Sequence, residues 1–384
     1  MKAFNFKEEI YWVGAVDWNP PDFSPCLTNG TTYNSYLIID EKVALIDTVK
    51  HGFTQEIVSR INDVNNLGDI DYIIIGNYHM DHSGSLPFLM KKAVNATLVV
   101  TKKSKKAIEK YHGGNWKFKV VKDGDTLKLG KRMLLFKEFN LNGDKVLLTY
   151  SKHDKILFSG DLFSQHIASY SETDRNIQEI QNNALSYFVN YLMPIKSLPD
   201  ISEIELLAPN HGIIFSQNTK MIIEKYQDWI KGKSKNKVLI IYSSVWRGTE
   251  KMAYAIAEGA RNTGIEVEVI NYEKKDVGHI LSKIFESSSI AIGCPSFKKG
   301  IPIEISKLFY NIELIGLKKK SIALFTCYSD NNSPIGALME VASKIDFRLI
   351  EKPLEVQYMP SESELIKCFE LGNRLGERTK NNKE

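Results

Sequence analysis

The sequence predicts two domains of different fold class: an α+β sandwich of two packed sheets, followed by an α/β domain with a doubly wound parallel sheet. Three observations support this prediction. The chain has 384 residues, more than one hydrophobic core usually serves. Its first part is rich in short β-prone runs, whereas its last part alternates strand-like and helical runs. Between them lies "KGKSKNK" at 231–237, whose composition is typical of a linker, so we place the domains at 1–232 and 237–384.

The sandwich is predicted by a series of runs rich in β-branched and aromatic residues, the residue types that favour strands. Helical patterns fall between some of them, such as those at 52–63 and 85–93, and another helix is indicated around 217–231. So many strands with few helices indicate two sheets packed face to face with helices outside. The runs are "IYWVGAV" (10–16), "YNSYLIID" (33–40), "KVALIDTV" (42–49), "YIIIGN" (72–77), "TLVVTKK" (97–103), "KFKVVKDG" (117–124), "KVLLTYS" (145–151), "KILFSGD" (155–161) and "IELLAPN" (204–210).

The parallel sheet is predicted by the alternation that follows the linker. "KVLIIYSS" (237–244) is typical of a buried parallel strand, and "TEKMAYAIAEGARNTG" (249–264) is an amphipathic helix that ends at a glycine. Strand–helix alternation then continues, as a doubly wound sheet requires. The later strand-like runs are "EVEVINY" (266–272), "SSIAIGCPS" (288–296) and "SIALFTCYS" (321–329), and the helical segments are 276–287, 302–315 and 335–345.

Composition and charge argue against several classes of function. The apolar fraction of 43% and the charged fraction of 25% are ordinary for a soluble globular protein. The net charge is only +4, and the Lys-rich stretches are not interleaved with aromatic residues, so we expect no nucleic-acid binding. The four cysteines form no Cys-x-x-Cys pair, which argues against a zinc ribbon, an iron–sulfur cluster or a disulfide framework. No apolar run approaches membrane-spanning length and the N-terminal segment carries charges, so we expect a cytoplasmic protein.

The stretch "IIIGNYHMDHSGSLP" (73–87) places two imidazoles and a carboxylate on the loop after a predicted strand. Zinc and iron both accept that mixture of ligands. A second aspartate ends the run "ILFSGD", and a third histidine follows "LLAPN". Each residue alone is also explained as a helix cap, a satisfied histidine or a turn residue, but their coincidence at strand ends favours a metal site. The candidate ligands are His79, Asp81, His82, Asp161 and His211.

The stretch "YSSVWRGTEKMA" (242–253) follows the first strand of the second domain and opens a helix. Its hydroxyls and backbone amides, together with the positive end of the helix, suit a phosphate group. The alternative is an ordinary strand–helix turn, which the density of hydroxyl groups disfavours. Two further loops, in "GCPSFKKGIP" (293–302) and "FTCYSDNNSPIG" (325–336), also follow strands and are expected at the same crevice.

Six stretches of the chain share a resemblance to one family: "YWVGAVDW" (11–18), "GTTYNSYLI" (30–38), "ALIDTVK" (44–50), "DHSGSLP" (81–87), "ILFSGDLFSQHIAS" (156–169) and "LAPNHGIIF" (207–215). They resemble the flavodiiron proteins, also called A-type flavoproteins. The resemblance covers essentially the whole chain. It implies a metallo-β-lactamase-like αββα sandwich followed by a flavodoxin-like FMN-binding domain. It also implies an oxidoreductase that passes electrons from FMN to a metal centre, where the family reduces oxygen or nitric oxide.

The resemblance implies two iron sites, but this sequence keeps one full ligand set. The ligands implied for the second iron are all present: Asp81, His82, His211 and the bridging Asp161. The changed positions are Asn77 and His79 in place of His and Glu, Asn142 in place of a His, and Ser24 in place of a pocket His. Neutral amides are weak ligands for transition metals, so we expect one metal ion or none per chain, with zinc as an alternative to iron. His79 remains a changed candidate.

The resemblance also assigns FMN to the three loops of the second domain. The second loop has Lys298 where the family has Asn, and the third lacks the usual Gly- and Ser-rich character, which implies weaker or retuned flavin binding. The predicted FMN-binding residues are Ser243, Ser244, Val245, Trp246, Arg247, Gly248, Thr249, Pro295, Ser296, Phe297, Lys298, Thr326, Cys327, Tyr328 and Ser329.

Three functions remain open from the sequence. The first is a redox enzyme in which FMN feeds a metal centre. The second is an FMN electron carrier or partner-binding flavoprotein whose metal site is empty. The third is a hydrolase with zinc-bound hydroxide at the strand-end cluster, against which the FMN domain counts. The resemblance implies a head-to-tail homodimer, or a tetramer, and an electron donor such as rubredoxin, ferredoxin or another flavoprotein.

Overall fold

The computed structural model describes residues 1–19, 30–141, 143–169, 177–201, 203–296, 300–329 and 333–381. It divides into two compact units. The first comprises Met1–Phe188 and Ile195–Gln227, and the second comprises Val189–Pro194 and Asp228–Glu384. Within the described ranges, every helix is too short or too polar to cross a membrane.

The first unit contains two main sheets and a small hairpin. Its strands are β1 (Phe4–Lys7), β2 (Ile10–Trp12), β3 (Ala15–Asp17), β4 (Thr31–Tyr33), β5 (Tyr36–Ile38), β6 (Val43–Ile46), β7 (Ile70–Ile74), β8 (Thr97–Val100), β9 (Phe118–Val120), β10 (Thr126–Lys128), β11 (Met133–Leu141), β12 (Asp144–Ser151), β13 (Ile156–Gly160) and β14 (Leu206–Pro209). Its helices are α1 (Thr54–Val64), α2 (Met80–Ser83), α3 (Leu86–Lys92), α4 (Lys102–His112), α5 (Ile177–Tyr187) and α6 (Thr219–Ile230), with short 3₁₀ turns at His51–Phe53 and Leu67–Asp69.

The larger sheet has the order β1-β2-β5-β6-β7-β8-β9, with antiparallel pairing up to β6 and parallel pairing from β6 onward. The second sheet has the order β10-β11-β12-β13-β14 and is antiparallel except for the β13–β14 pair. Strands β3 and β4 form the hairpin. Parallel strands in both sheets matter for the site, because their carboxyl ends point the same way.

Alternation of side chains explains the layers of the first unit. Along β5, Tyr36 and Ile38 pack in a core that includes Phe136 and Phe158 of the second sheet, which fills the space between the sheets. Leu37 of the same strand instead packs in a core with residues of α1, α3 and α4. Since successive side chains of a strand point to opposite faces, one strand contributes to both layers.

The second unit is a parallel sheet with helices. Its strands are β15 (Lys235–Tyr242), β16 (Glu266–Asn271), β17 (Ser287–Pro295), β18 (Lys318–Tyr328), β19 (Asp346–Leu349) and β20 (Leu354–Gln357). Its helices are α7 (Gly248–Asn262), α8 (Val277–Glu286), α9 (Ile303–Leu314), α10 (Ile335–Ala342) and α11 (Glu362–Asn381), with a 3₁₀ turn at Tyr272–Lys274 and a π turn at Phe188–Leu192. The strand order is β16-β15-β17-β18-β19, and β20 also pairs with β18.

Helices α4 and α5 of the first unit lie outside the helical segments that the sequence indicated. Helix α4 covers the Lys-rich stretch "KKSKKAIEK" (102–110). The Thr101 hydroxyl accepts a hydrogen bond from the backbone N–H of Ser104 and so caps the first turn. Ile108 is buried, so this helix has an apolar contact that its many lysines obscure in the sequence.

Candidate metal centre and flavin loops

Four of the five predicted metal ligands come from three strand ends of the first unit. Asp81 and His82 lie on α2, just after β7, whereas Asp161 directly follows β13. His211 follows β14, which pairs in parallel with β13 through Phe158↔Ala208 and Gly160↔Pro209. Parallel pairing brings the carboxyl ends of these two strands to one edge of the sheet.

The four side chains converge in a buried cluster. Ligand atoms of Asp81, His82 and His211 lie within 4.8 Å of one another. His82 Nε2 is 3.2 Å from Asp81 Oδ2 and 3.3 Å from Asp161 Oδ1. His211 Nε2 is 3.4 Å and 3.7 Å from the same two atoms. Two imidazole nitrogens and two carboxylate oxygens therefore face a common point, as a mononuclear zinc or iron site requires.

The two carboxylates of the cluster favour a positive charge between them. Burial disfavours a charged His82, but the adjacent Asp81 and Asp161 outweigh burial and raise the pKa of His82 to about 10. Burial alone would raise the pKa of both carboxyls, yet the charge on His82 holds the pKa of Asp81 and of Asp161 below the usual range. A proton on His82 thus supplies positive charge that a metal ion would replace, since ligands must deprotonate to bind.

Backbone contacts orient His211 for ligation. Its Nδ1 donates to the Thr32 carbonyl at 2.6 Å, which leaves the Nε2 lone pair directed into the cluster. The next residue, Gly212, has φ +83°, and a Cβ there would lie 2.5 Å from Gln165 Oε1. Asn34 holds the same turn by donating to the Gly212 carbonyl at 2.9 Å. The glycine of "PNHG" is therefore required by backbone conformation and by space.

Asn77 does not lie in the position of a ligand. Its Nδ2 donates to Asp161 Oδ2 at 2.8 Å, and its Oδ1 accepts from the backbone N–H of His79 at 3.2 Å. The His79 side chain is exposed and packs edge-on against Tyr78, with ring centroids 4.9 Å apart. The structure thus does not bring His79 into the cluster, because His79 precedes α2 and faces outward. Asn142 and Ser24 lie outside the described residues.

Several residues around the cluster were not singled out from the sequence. Asp47 is buried behind it and accepts from the Gly76 backbone N–H at 2.8 Å. Burial outweighs the charge of His82 and raises the pKa of Asp47 to about 6. His166 Nδ1 lies 2.8 Å from Thr31 Oγ1, and burial followed by the charge of His211 holds its pKa well below the usual value. Their only sequence signal is that both lie within motifs quoted above, "ALIDTVK" and "LFSQHIAS".

The three predicted flavin loops lie at one edge of the second sheet. Strands β15, β17 and β18 are neighbours, with Tyr242 opposite Gly293 and Pro295 opposite Cys327. The carboxyl ends of these three strands therefore lie at one edge of the sheet. This edge is where ligands bind in open parallel sheets.

The first of these loops has the features of a phosphate cradle. The hydroxyl oxygens of Ser243 and Thr249 are buried and have no hydrogen-bond partner among the described residues. Gly248 begins α7, and a Cβ there would lie 2.4 Å from Cys327 Sγ, so only glycine allows this close approach. Buried hydroxyls without partners at a helix N-terminus fit an anion that would satisfy them.

The remaining predicted flavin residues vary in exposure. Ser244 Oγ accepts from the Glu250 backbone N–H at 3.4 Å, and Arg247 pairs with the Glu250 carboxylate at 2.9 Å. The buried Thr326 donates to the Cys294 carbonyl at 2.8 Å. Phe297 and Lys298 lie outside the described residues. Val245, Trp246 and Ser329 are exposed, and Pro295, Ser296, Cys327 and Tyr328 are half-buried.

Comparison with known proteins matches both units. Residues 31–212 match the ODP family beta lactamase domain, and residues 240–372 match flavodoxin. The chain is 32% identical to the nitric oxide reductase of Moorella thermoacetica over 96% of its length and 97% of that protein. It is 33% identical to the coenzyme F420H₂ oxidase of Methanothermobacter marburgensis over 97% of its length and 98% of that protein. Among solved structures, rubredoxin oxygen:oxidoreductase from Desulfovibrio gigas superimposes with a TM-score of 0.91 at 28% identity, over 99% of both chains.

The relatives at 32% and 33% identity over nearly their whole length show a shared family, and a further solved structure carries its name. The flavodiiron protein from Giardia intestinalis superimposes with a TM-score of 0.93 at 26% identity, over 99% of this chain and 97% of that one. The chain belongs to the flavodiiron family. This confirms the predicted family, the lactamase-like and flavodoxin-like folds, and the prediction of an oxidoreductase of the redox-flavoprotein class. It also confirms FMN and iron as the cofactor types, whereas the number of metal ions stays a prediction.

The residues of this flavodiiron chain fit FMN and one metal ion. The two partnerless hydroxyls of the first flavin loop suit a phosphate. Asp161 Oδ1 is likewise buried, and it lies 3.3 Å from His82 Nε2 and 3.7 Å from His211 Nε2, the two nitrogens that would share a cation with it. The other oxygen of Asp161 is already bonded to Asn77. The residues around Asp161 Oδ2, where the family's first iron would lie, therefore do not fit a metal ion.

Proposed function

We propose that this flavodiiron chain is an FMN-dependent oxidoreductase with a single-metal centre. Asp81, His82, Asp161 and His211 would hold the ion, and His79 is left out of the set. The observation that carries the proposal is the convergence of these four side chains around one buried point. A metal ion there would supply Lewis acidity and, if it is iron, one-electron redox chemistry.

The flavin would be held by the three loops of the second unit. Ser243 to Thr249 would bind the phosphate through hydroxyls and backbone N–H groups, and Pro295–Lys298 and Thr326–Ser329 would lie along the ring. The partnerless hydroxyls of Ser243 and Thr249 support this assignment. FMN when bound supplies one- and two-electron transfer, and the chain supplies its position and its electrostatic surroundings.

We propose that terminal reduction of oxygen or nitric oxide is weak in this chain. The relatives named above carry these activities, but here Asn77 binds Asp161 and His79 faces outward. A four-electron reduction of oxygen, or the coupling of two nitric oxide molecules, draws on two metal ions in the family. A centre with one ion offers one binding position and fewer electrons.

The second candidate is an FMN electron carrier that retains the lactamase-like unit for partner binding. The bond between Asn77 and Asp161 favours it, because it occupies an oxygen of the bridging ligand. The third candidate is a hydrolase with one metal ion. The flavodoxin unit counts against it because hydrolysis makes no use of FMN.

For partners we propose a head-to-tail homodimer and a donor such as rubredoxin, ferredoxin or another flavoprotein, in a cytoplasmic setting. Large apolar side chains are exposed beside the flavin loops: Val245, Trp246, Tyr358 and Met359. The Tyr358 carbonyl accepts from Cys327 Sγ, so the loop that carries it adjoins the flavin edge. Clustered exposed apolar residues mark surfaces that a partner covers.

The test is reaction of the reduced, FMN-loaded protein with oxygen and with nitric oxide. We expect turnover far below the rates on the order of 10 s⁻¹ typical of enzymes. A His211→Ala variant, which loses a metal ligand, separates metal-dependent turnover from direct oxidation of the flavin. Turnover at about 10 s⁻¹ that His211→Ala abolishes would contradict the proposal of a weak centre. A protein that takes up no FMN would refute the flavin assignment.

A further inference from the structure

Asp161 is the ligand whose two oxygens have different environments. Oδ1 faces the imidazoles of His82 and His211 at 3.3 and 3.7 Å. Oδ2 accepts the Nδ2–H of Asn77 at 2.8 Å. One oxygen is thus directed to the metal cluster, and the other is held by a neutral hydrogen-bond donor.

The orientation of the Asn77 amide follows from its partners. A carboxylate oxygen can only accept, so the NH₂ end faces Asp161. A backbone N–H can only donate, so the oxygen end faces His79 N, 3.2 Å away. Asn77 is only 3% exposed, so water does not compete readily for these bonds. Both ends of the amide are therefore committed, and neither is available to ligate a metal ion.

We propose that Asn77 is a positioning residue whose amide N–H takes the place of a metal ion at Asp161 Oδ2. This inference rests on the proposed single-metal centre and deepens it. The amide satisfies Oδ2 and fixes the rotation of the carboxylate, so that Oδ1 points at the single ion. Asp161 then acts as a terminal ligand of one ion instead of a bridge between two.

Two further carboxylates among the described residues near Asn77 are already engaged. Asp47 accepts from the Gly76 backbone N–H at 2.8 Å. Asp144 is nearby, but it accepts from the Tyr78 hydroxyl at 3.3 Å and forms an ion pair with Lys103. Lys103 also lies over the Tyr78 ring, with its Nζ 5.8 Å from the centroid. Tyr78, the neighbour of Asn77 in sequence, therefore adjoins a positive charge and a paired carboxylate, which disfavour a second cation there.

The experiment is a Co²⁺ titration of the full-length, FMN-loaded protein after chelator treatment, followed at wavelengths beyond the flavin absorption. Asn77→Leu removes the hydrogen-bond donor at similar volume. The matched control is Asn66→Leu, because Asn66 donates to Asp69 Oδ2 at 3.0 Å on the exposed surface. We expect parent and control to bind one Co²⁺ with the same spectrum. Asn77→Leu should weaken Co²⁺ binding by about 10- to 100-fold and change the d–d bands, as loss of a residue that orients a ligand does.

The outcomes distinguish the positioning role of Asn77 from the single-metal centre on which it rests. If the parent binds one Co²⁺ and Asn77→Leu binds it with equal affinity and an unchanged spectrum, the positioning role is wrong and the single-metal centre stands. A variant that only unfolds at lower temperature, with affinity and spectrum intact, also rejects the positioning role. If the parent binds no Co²⁺ or two ions, the single-metal centre is wrong and the role of Asn77 is rejected with it.

Discussion

Thr249→Val should have opposite effects on the FMN-free and the FMN-bound protein. The Thr249 side chain is 1% exposed and its hydroxyl has no hydrogen-bond partner in the described part of the chain. Burying an unsatisfied hydroxyl costs about 1–3 kcal/mol, so valine, which has the same shape, should stabilise the FMN-free protein by up to about that amount. With FMN bound, the same substitution removes a hydrogen bond to a charged phosphate.

The magnitude of the second effect follows from the strength of such a bond. A hydrogen bond to a charged group contributes about 1.5–3 kcal/mol, which corresponds to a rise in the FMN dissociation constant of about 10- to 150-fold. The assay pairs urea unfolding of the FMN-free protein with titration of FMN fluorescence. Thr379→Val is the matched control, because its buried hydroxyl bonds Ser289 Oγ and the Leu375 carbonyl.

The control variant should lose stability without FMN and keep its affinity for FMN. Thr379→Val should destabilise the FMN-free protein by about 1 kcal/mol and leave the affinity for FMN unchanged. An affinity for FMN that Thr249→Val leaves unchanged would refute the phosphate assignment. A clear loss of stability in FMN-free Thr249→Val would show that the hydroxyl has a partner within the protein.

Three other predictions concern the backbone, the pH dependence of stability and the vacant half of the metal site. Gly212→Ala should destabilise the first unit by at least about 1–2 kcal/mol in urea unfolding and weaken metal binding, because φ is +83° and a Cβ would lie 2.5 Å from a glutamine oxygen. Burial lowers the pKa of Lys320 from 10.5 to about 7. Between about pH 7 and pH 10.5 the unfolded chain therefore binds more protons than the folded chain. The free energy of unfolding should rise with pH in this window, by up to about 1.4 kcal/mol per pH unit. Lys320→Met should remove this slope when unfolding is measured at several pH values, and an unchanged slope would contradict the assignment. The triple variant Asn77→His, His79→Glu and Asn142→His should bind a second metal ion at partial occupancy, which elemental analysis would measure, and should consume oxygen or nitric oxide slowly. If the variant binds no second metal ion, the interpretation that this chain has lost the ligands of a second site is contradicted.

The convergence of the candidate ligands could be predicted from the sequence because most of them follow strand ends. Asp161 and His211 directly follow two strands that pair in parallel, so their convergence needs only the strand assignment and a common edge. The side-chain direction of His79 could not be predicted in this way, because it depends on the backbone conformation of the single residue before a four-residue helix. No periodicity in the sequence determines whether such a residue faces the cluster or the solvent.

The supporting groups could not be predicted in the same way. His211 is oriented by the backbone carbonyl of Thr32, and a carbonyl carries no sequence signal. The bond between Asn77 and Asp161 joins residues 84 positions apart, so it becomes visible only in the folded chain. In the second unit, the density of hydroxyl groups at a strand–helix turn predicted the phosphate loop, but only the structure shows that two of these hydroxyls are buried without a hydrogen-bond partner among the described residues.

We propose that this flavodiiron chain holds FMN and one metal ion. The direct measurement is the flavin and metal content of protein purified without oxygen, together with an anomalous difference map that locates each ion in crystals. We expect one FMN and one ion per chain, with the ion bound by Asp81, His82, Asp161 and His211 at about 2.0–2.2 Å. Two fully occupied ions per chain, with Asn77 among the ligands of one of them, would contradict it.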